Sequence, residues 1–265
     1  MNSITIGQYI AGGSILHRMD ARIKIILTIC YIALLFIIST PVSYALFTAG
    51  TIALVLMSGI SPRYFMRAMK PMLYIIAFTC VINLFFTGGE PIFELPVFGL
   101  TLRITYEGAE AALTVLLRLA LLITGTSLLT LSTAPLSLAD GIESLLKPLR
   151  VIKVPASEIA LMMTIAIRFI PTLSEELDKI KRAQEARGAD FSSRNIIRRA
   201  KAMVPIMVPL FVSAFKRADD LATAMDARCY RGGAERTKLH CARITALDIK
   251  ACAVFAAAAA VMVIV

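Results

Sequence analysis

The chain has 265 residues, 58% of them hydrophobic and only 17% charged, with 28 Lys and Arg against 18 Asp and Glu. Soluble domains run nearer about half apolar and about a quarter charged, so this balance, with a mean hydropathy of +0.76, excludes an ordinary soluble enzyme and equally a disordered chain. In such a chain the net charge of +10 reports topology first, because cytoplasmic loops of membrane proteins collect Lys and Arg.

Apolar stretches run over Ile23–Ile38, Val42–Ile60, Met72–Phe86, Leu113–Leu131 and Ala251–Val265. A membrane-spanning helix takes about 20 apolar residues, so the second and fourth qualify alone. Arg22 and Lys24 can snorkel to lengthen the first, and Thr245-Ala-Leu-Asp248 resembles a capping box that would start the last near Thr245. Five spans are predicted. Arg18, Arg22 and Lys24 precede the first, Arg63, Arg67 and Lys70 follow the second, and the loop after the third carries Glu90 and Glu94 without a base. All three observations predict a cytoplasmic N-terminus. Four spans then return the chain to the cytoplasm near Pro135. Residues 140–250 hold 20 of the bases and 13 of the acids, which makes them an amphipathic insert. The predicted architecture is an all-α membrane protein: transmembrane helices one to four over 1–134, cytoplasmic helices over 135–243, and a C-terminal transmembrane helix over 244–265. The first apolar run begins only after Lys24, with no signal-peptide cleavage pattern behind it. Cysteines 30, 80, 229, 241 and 252 form no C-x-x-C pair and read as free thiols or small apolar fillers.

Within the insert, Asp140–Arg150 reads as a short helix and Ser157–Arg187 and Arg194–Arg228 as long ones, punctuated by Pro148, Pro155, Pro171, Pro205 and Pro209. The stretch Ala202–Phe215 is apolar for 14 residues, a length that suits a buried or interfacial helix better than a span. Each long helix starts apolar and ends charged. A helix apolar all round needs partners on all sides, so part of this surface meets another protein or the membrane interface.

The two long helices end in a near-repeat: Glu185-Ala186-Arg187-Gly188 and Asp226-Ala227-Arg228-Cys229. A single copy is explained by helix capping, with Arg complementing the macrodipole and Gly taking the left-handed conformation. Two copies point further, because an Arg at a helix tip flanked by small residues can enter a narrow groove and pair with a carboxylate in a bidentate way. Desolvated Arg anchors of this kind dominate many interfaces. A second echo sets Ser174-Glu-Glu-Leu177 before Arg187 and Ala218-Asp-Asp-Leu221 before Arg228, where a solvated face held by pairs such as Glu175–Lys179 is the plainer reading. Inside the spans, Asn83 and Arg118 are the notable polar residues. An intramembrane Arg is either functional or a tie between spans. No phosphate-cradling G-x-x-x-x-G-K-[ST] occurs, so the chain is not itself an ATPase by that route. His17 and His240 stand apart without an acidic or thiol cluster, which predicts neither a metal nor a catalytic site. Acids are interspersed among the bases, against nucleic acid; Lys181-Arg182 and Arg198-Arg199-Ala-Lys201 suit anionic lipid better.

The chain resembles the transmembrane T components of energy-coupling factor (ECF) transporters, bacterial ATP-driven importers of vitamins and transition metals. The resemblance covers nearly the whole length. It is carried by Gly7, by Ser14-Ile-Leu16-His17-Arg18-Met-Asp20-Ala-Arg22-Ile-Lys24, by Thr101 to Gly108, and by Ser132-Thr-Ala-Pro135-Leu. Lys147-Pro148-Leu, Arg168-Phe-Ile-Pro171-Thr-Leu, Phe215-Lys-Arg-Ala-Asp-Asp-Leu221 and the two Ala-Arg tips, the second running on to Gly232, continue it. It implies that Ala186-Arg187-Gly188 and Ala227-Arg228-Cys229 dock on two cytoplasmic ABC-type ATPase subunits, which bind ATP and Mg while this chain holds no cofactor. It implies further that the apolar helices cradle a membrane-embedded substrate-binding S component, with Arg118 and Arg168 in bundle or coupling roles. The chain would be a multi-pass, non-catalytic subunit of the bacterial cell membrane. Cys229 stands where the family often has Gly, which weakens the expectation of a left-handed cap there, and Ala21 where Pro is common. A permease with its own substrate path, an intramembrane enzyme and a non-transport anchor for ATPases are the alternatives. The first would show polar residues converging in the spans and the second a catalytic pair, neither of which the sequence offers.

Overall fold

The computed structural model describes residues 9–88, 91–97, 100–148, 155–189, 191, 195–232 and 245–264. Glu90, Arg150, Arg194, His240 and Cys241, named above, lie outside them. The chain divides into two compact units, Gly7–Ala134 with Ala242–Val265, and Met1–Ile6 with Pro135–Cys241.

In the first unit a short helix α1 (Ile15–Arg18) leads into α2 (Ala21–Ile37), α3 (Pro41–Ser58), α4 (Pro62–Met69), α5 (Leu73–Phe86), a hairpin β1 (Pro91–Val97) and β2 (Leu100–Thr105), and α6 (Tyr106–Ser132). The last helix, α10 (Ala246–Ile264), returns to this unit. Five helical stretches among the described residues have the length and composition to cross a membrane: Pro41–Ser58, Pro62–Phe85, Tyr106–Ser132, Ser157–Ala186 and Ala246–Ile264. The number matches the sequence reading but the membership differs. The helix α2 has 17 residues, the lower limit for a span, and Ser157–Ala186 joins the set because its first half is apolar. The basic residues Arg63, Arg67 and Lys70 also lie on helix, in α4 and the 3₁₀ turn Lys70–Met72 that runs into α5, where the sequence indicated a loop.

The hairpin was likewise read as a loop. Its strands pair antiparallel, Val97 opposite Leu100 and Glu94 opposite Arg103, with a register irregularity between Pro91 and Phe93. Apolar and β-branched runs flanking Gly99 are the overlooked signal. Thr105 ends the hairpin and caps α6: its hydroxyl accepts from Gly108 N (3.1 Å) and donates to Thr87 O (2.9 Å). Gly108 has to be glycine, since a Cβ there would sit 3.0 Å from Asn83 O and 3.1 Å from Leu84 O on α5.

The core of this unit joins Tyr31, Leu34, Leu35, Ile38, Tyr44, Phe47 and Leu121, with Phe255, Ala259 and Met262 of α10 packed against it. Tyr31 is its polar centre. Its ring lies 4.6 Å from that of Phe47, and its hydroxyl meets Thr51 Oγ1 and Leu121 O, each at 3.0 Å. Gly125 makes room for the ring, because any Cβ there would overlap it.

A second polar knot closes the bundle around α10. Asp248, 1% exposed, accepts Thr245 N and Thr245 Oγ1 on Oδ2, both at 2.8 Å, and Asp20 N on Oδ1 at 3.0 Å. Half of the capping box read from Thr245-Ala-Leu-Asp248 is thus present, since Asp248 reaches back to Thr245 N while Asp248 N donates to Thr245 O and not to its hydroxyl; the same carboxylate also captures the chain entering α2. Asp20 in turn caps α2 by accepting Arg22 N at 2.9 Å. Lys24 does not snorkel: it is 7% exposed, and its ammonium donates to Ser132 O (3.0 Å) and Thr133 Oγ1 (3.2 Å) at the end of α6. The nearby carboxylates of Asp248 and Asp20 offset part of the cost of burying its charge.

The second unit holds α7 (Pro135–Leu146), α8 (Ala156–Ala186) and α9 (Ile196–Ala227). Helix α7 starts earlier than the predicted Asp140, because Pro135 occupies its first position, where its missing N–H is no loss. Pro171 lies within α8 and Pro205 and Pro209 within α9, so both helices run through prolines expected to punctuate them.

Replacing Asp248 by Ala leaves the partly buried N–H groups of Asp20 and Thr245 without their acceptor and should cost about 2 kcal/mol. Thermal unfolding of the purified protein in detergent reads this as a clear fall in midpoint, and Asp248→Asn, which keeps one acceptor oxygen, should recover part of it.

Candidate functional site: two arginine-tipped helices

Both long helices of the second unit end with the same backbone device. In α8, Arg187 is the C-cap, Gly188 follows at φ +86°, Gly188 N donates to Glu185 O at 3.0 Å and Ala189 N to Gln184 O at 3.0 Å. In α9, Arg228 is the C-cap, Cys229 follows at φ +58°, Cys229 N donates to Asp226 O at 2.9 Å and Tyr230 N to Met225 O at 3.1 Å. This paired closure of the last carbonyls is the Schellman motif. It places each Arg at the last turn of its helix, with its backbone fixed from both sides. Ala186, Arg187, Gly188, Ala227, Arg228 and Cys229 are all exposed. The tips are thus rigid in backbone and open in side chain.

The left-handed cap doubted from sequence is present at Cys229, the one non-glycine residue with positive φ among the described residues. A Cβ makes that conformation unfavourable by about 1–2 kcal/mol. The structure keeps it together with the two hydrogen bonds that close the cap, and the side chain is exposed.

The match between the helices is not the one the acidic echo suggested. Glu176 of α8 reaches across to α9, accepting from Ser213 Oγ and, on its other oxygen, from Arg217 Nη2 at 3.0 Å. Glu176 precedes Arg187 by 11 residues and Arg217 precedes Arg228 by 11, so each tip stands about 16 Å along its own axis from the cross-link. Glu175, Asp219 and Asp220 remain exposed. The i,i+4 ion pair on α8 is Lys181 with Glu185 at 3.9 Å in place of Glu175–Lys179. Sequence reasoning missed Glu176 and Arg217 because partners on different helices have no fixed spacing; their equal distance to the tips was the available signal.

The other candidate residues do not gather at the tips. Arg168 is exposed on α8, 19 residues before Arg187. Arg118 belongs to the first unit, where its Nη2 and Nε donate to Tyr44 Oη at 2.6 and 3.1 Å and its guanidinium lies 5.5 Å from the Phe36 ring centroid. It ties α6 to α3 and α2 through a hydroxyl and an aromatic face, a cation–π arrangement that softens the cost of a charge in an apolar bundle. Asn83 bonds back to Thr79 O of its own helix. His17 fastens the N-terminal segment: its Nε2 lies 2.9 Å from Ile10 O and its Nδ1 2.6 Å from Ser14 Oγ. The carbonyl can only accept, so Nε2 carries the proton. No group of three or more metal-ligating side chains occurs among the described residues.

Cys229→Gly should relieve the backbone strain and stabilise the α9 cap by roughly 1 kcal/mol, and Gly188→Ala should weaken the α8 cap by a similar amount. Hydrogen exchange at the Tyr230 and Ala189 amides, which close the two motifs, measures both, slowing at the first and quickening at the second.

Known proteins resemble this chain over most of its length. The family described as cobalt transport protein, CbiQ, matches residues 12–239 and so includes both arginine tips. Over 251 residues the chain is 54% identical to the energy-coupling factor transporter transmembrane protein EcfT of Thermosediminibacter oceani, covering 95% of this chain and 93% of that one. The EcfT of Ruminiclostridium cellulolyticum is 50% identical over 249 residues, 94% of this chain and 92% of that one. That of Streptococcus thermophilus is 45% identical over 239 residues, 90% and 89% of the two chains. With its membrane-spanning helices and a family match over most of its length, the chain belongs to the CbiQ family, among the EcfT transmembrane components of energy-coupling factor transporters.

Proposed function

We propose that this chain is the mechanical coupling subunit of an ATP-driven importer of a vitamin or metal ion, with Arg187 and Arg228 each seated on one of two cytoplasmic ATPase subunits that bind ATP and Mg. The observation that carries the reading is the pair of identical helix caps, each holding an exposed Arg at the tip of a long helix. A guanidinium on a fixed backbone loses little freedom on docking, which favours a stable, state-dependent grip. The N-terminus and α7–α9 lie on the cytoplasmic side, in keeping with the excess of Lys and Arg in the insert. The exposed apolar face of α9, including Val204, Val208, Phe211 and Phe215, supports contact with a membrane-embedded S component that selects the substrate. The chain itself performs no chemistry. Closure of the ATPases on ATP moves the two grooves, and the tips carry α8 and α9 with them as rigid bodies. Docking has to differ between the states, since a contact equal in both would shift nothing.

Glu176 and Arg217 are positioning residues in this reading: they hold the two levers at a fixed crossing, so that displacement of a tip becomes displacement of the apolar face. Arg168, exposed on α8, is available for a further contact along the same helix.

Substituting Arg187 and Arg228 together by Ala should weaken ATPase docking by roughly thirtyfold per site, the equivalent of about 2 kcal/mol for an interface anchor, and abolish ATP-dependent uptake in reconstituted vesicles. Uptake at the wild-type rate by the double variant would sink the reading. Glu176→Gln with Arg217→Gln should leave the ATPases bound and hydrolysing while uptake per ATP falls severalfold; exchanging the charges, Glu176→Arg with Arg217→Glu, should restore much of the ratio, as a paired interaction requires.

A further inference from the structure

The helix α9 carries a feature that tip docking does not use. From Asn195 to Ala218 it contains Arg198, Arg199, Lys201, Lys216 and Arg217 and no acidic residue. Arg217 is paired with Glu176. Arg198, Lys201 and Lys216 are exposed, and none of the ion pairs among the described residues includes them.

Their placement on the helix is regular. Ile197, Val204, Val208, Phe211 and Phe215, which are 56 to 70% exposed, recur at spacings of 7, 4, 3 and 4 residues and form one stripe. Arg198 and Lys216 are 18 residues apart, about five helical turns, so they share a line about a quarter-turn to one side of that stripe. Lys201 falls between that line and the stripe. The opposite side of α9, with buried Ile206 and with Ser213 bonded to Glu176, faces α8. The free surface is therefore an apolar band about 27 Å long with cations on one side at its two ends, Arg198 and Lys201 at the first and Lys216 at the second. A helix lying in a bilayer interface has this design, its apolar band at the acyl boundary and its long basic side chains reaching the phosphates.

We infer that the flank formed by Arg198, Lys201 and Lys216 binds the phosphates of anionic lipid headgroups. The bilayer is at hand along the chain, since α6, a membrane-spanning helix, ends at Ser132 and α7 starts at Pro135. Solvated bases on an ordinary cytoplasmic face are normally interspersed with acids, and the absence of any acid over 24 residues sets this flank apart. The inference needs the apolar face of α9 to lie at the membrane, as the proposed contact with an S component also does, but it needs neither ATPase docking nor the S component itself. Lipid bound along α9 would set the depth at which the coupling helix lies.

The full chain alone, without partner subunits, is reconstituted in nanodiscs of phosphatidylcholine or of phosphatidylcholine with phosphatidylglycerol, and hydrogen exchange is followed over residues 195–218. Protection in this segment should be greater in the discs with phosphatidylglycerol and should fade at high salt. Retention of phosphatidylglycerol, counted by native mass spectrometry, should fall about fivefold for each base removed and roughly a hundredfold for Arg198→Gln with Lys201→Gln and Lys216→Gln. The charge-conserving variant, Arg198→Lys with Lys201→Arg and Lys216→Arg, should behave as wild type, which separates charge from folding. Equal protection in the two kinds of disc would overturn the inference. So would full phosphatidylglycerol retention by the triple Gln variant, or inorganic phosphate reproducing the protection in phosphatidylcholine discs, which would make the flank a general anion site. Any of these results would leave the Arg187 and Arg228 uptake test free to succeed or fail on its own.

Discussion

A single carboxylate, Glu176, fixes how the two levers of this protein relate to one another. With one oxygen on Ser213 and the other on Arg217, it sets the register of α8 against α9, and the 11-residue arms on either side then fix how far each arginine stands from the crossing. Apolar packing alone would not do this. Side-chain ridges on helices allow neighbouring registers at small cost, and a carboxylate bonded on one oxygen to a hydroxyl and on the other to a guanidinium favours one of them. The equal arms set both tips at the same distance from the crossing, which suits the proposed docking of each on a partner subunit.

The tips also show how backbone geometry can outlast its usual residue. Gly188 takes the left-handed conformation freely; Cys229 takes it against a steric penalty. The hydrogen bonds of the two caps are nevertheless nearly the same in length. What the motif demands is the position of the arginine, and the residue after it has only to be small enough to leave that position undisturbed.

Much of the architecture was legible in the sequence. Spans over α3, α5, α6 and α10 followed from apolar length, the α10 cap from Thr245 and Asp248, and the tips from two copies of acid-Ala-Arg followed by a small residue. The misses share one cause. Lys24, read as a snorkelling surface base, is buried because its partners lie at Ser132 and Thr133, more than a hundred residues on. The contacts of Arg118 with Tyr44 and Phe36, on other helices, had no signal in the sequence. Glu176 looked like one of a solvated pair. Periodicity, caps and hydropathy are local properties of a chain, and each of these side chains is defined by a partner from a distant element. The hairpin is a different kind of miss, since alternation around Gly99 was visible but was outweighed by the expectation of a loop between spans.

The bond from Asp20 N to Asp248 Oδ1 joins positions 228 residues apart, and this has a bearing on biosynthesis. A ribosome releases the N-terminal segment long before Asp248 is made, so throughout translation Asp20 and Lys24 lack the carboxylate that completes their surroundings. Contacts of such long sequence separation form late, and until then the bundle keeps an open seam of the kind that favours misassembly. Closing that seam with α10 makes assembly of the membrane unit conditional on the arrival of its last helix. A chain lacking that helix would leave Asp20 N without its acceptor and Lys24 without one of its two neighbouring carboxylates.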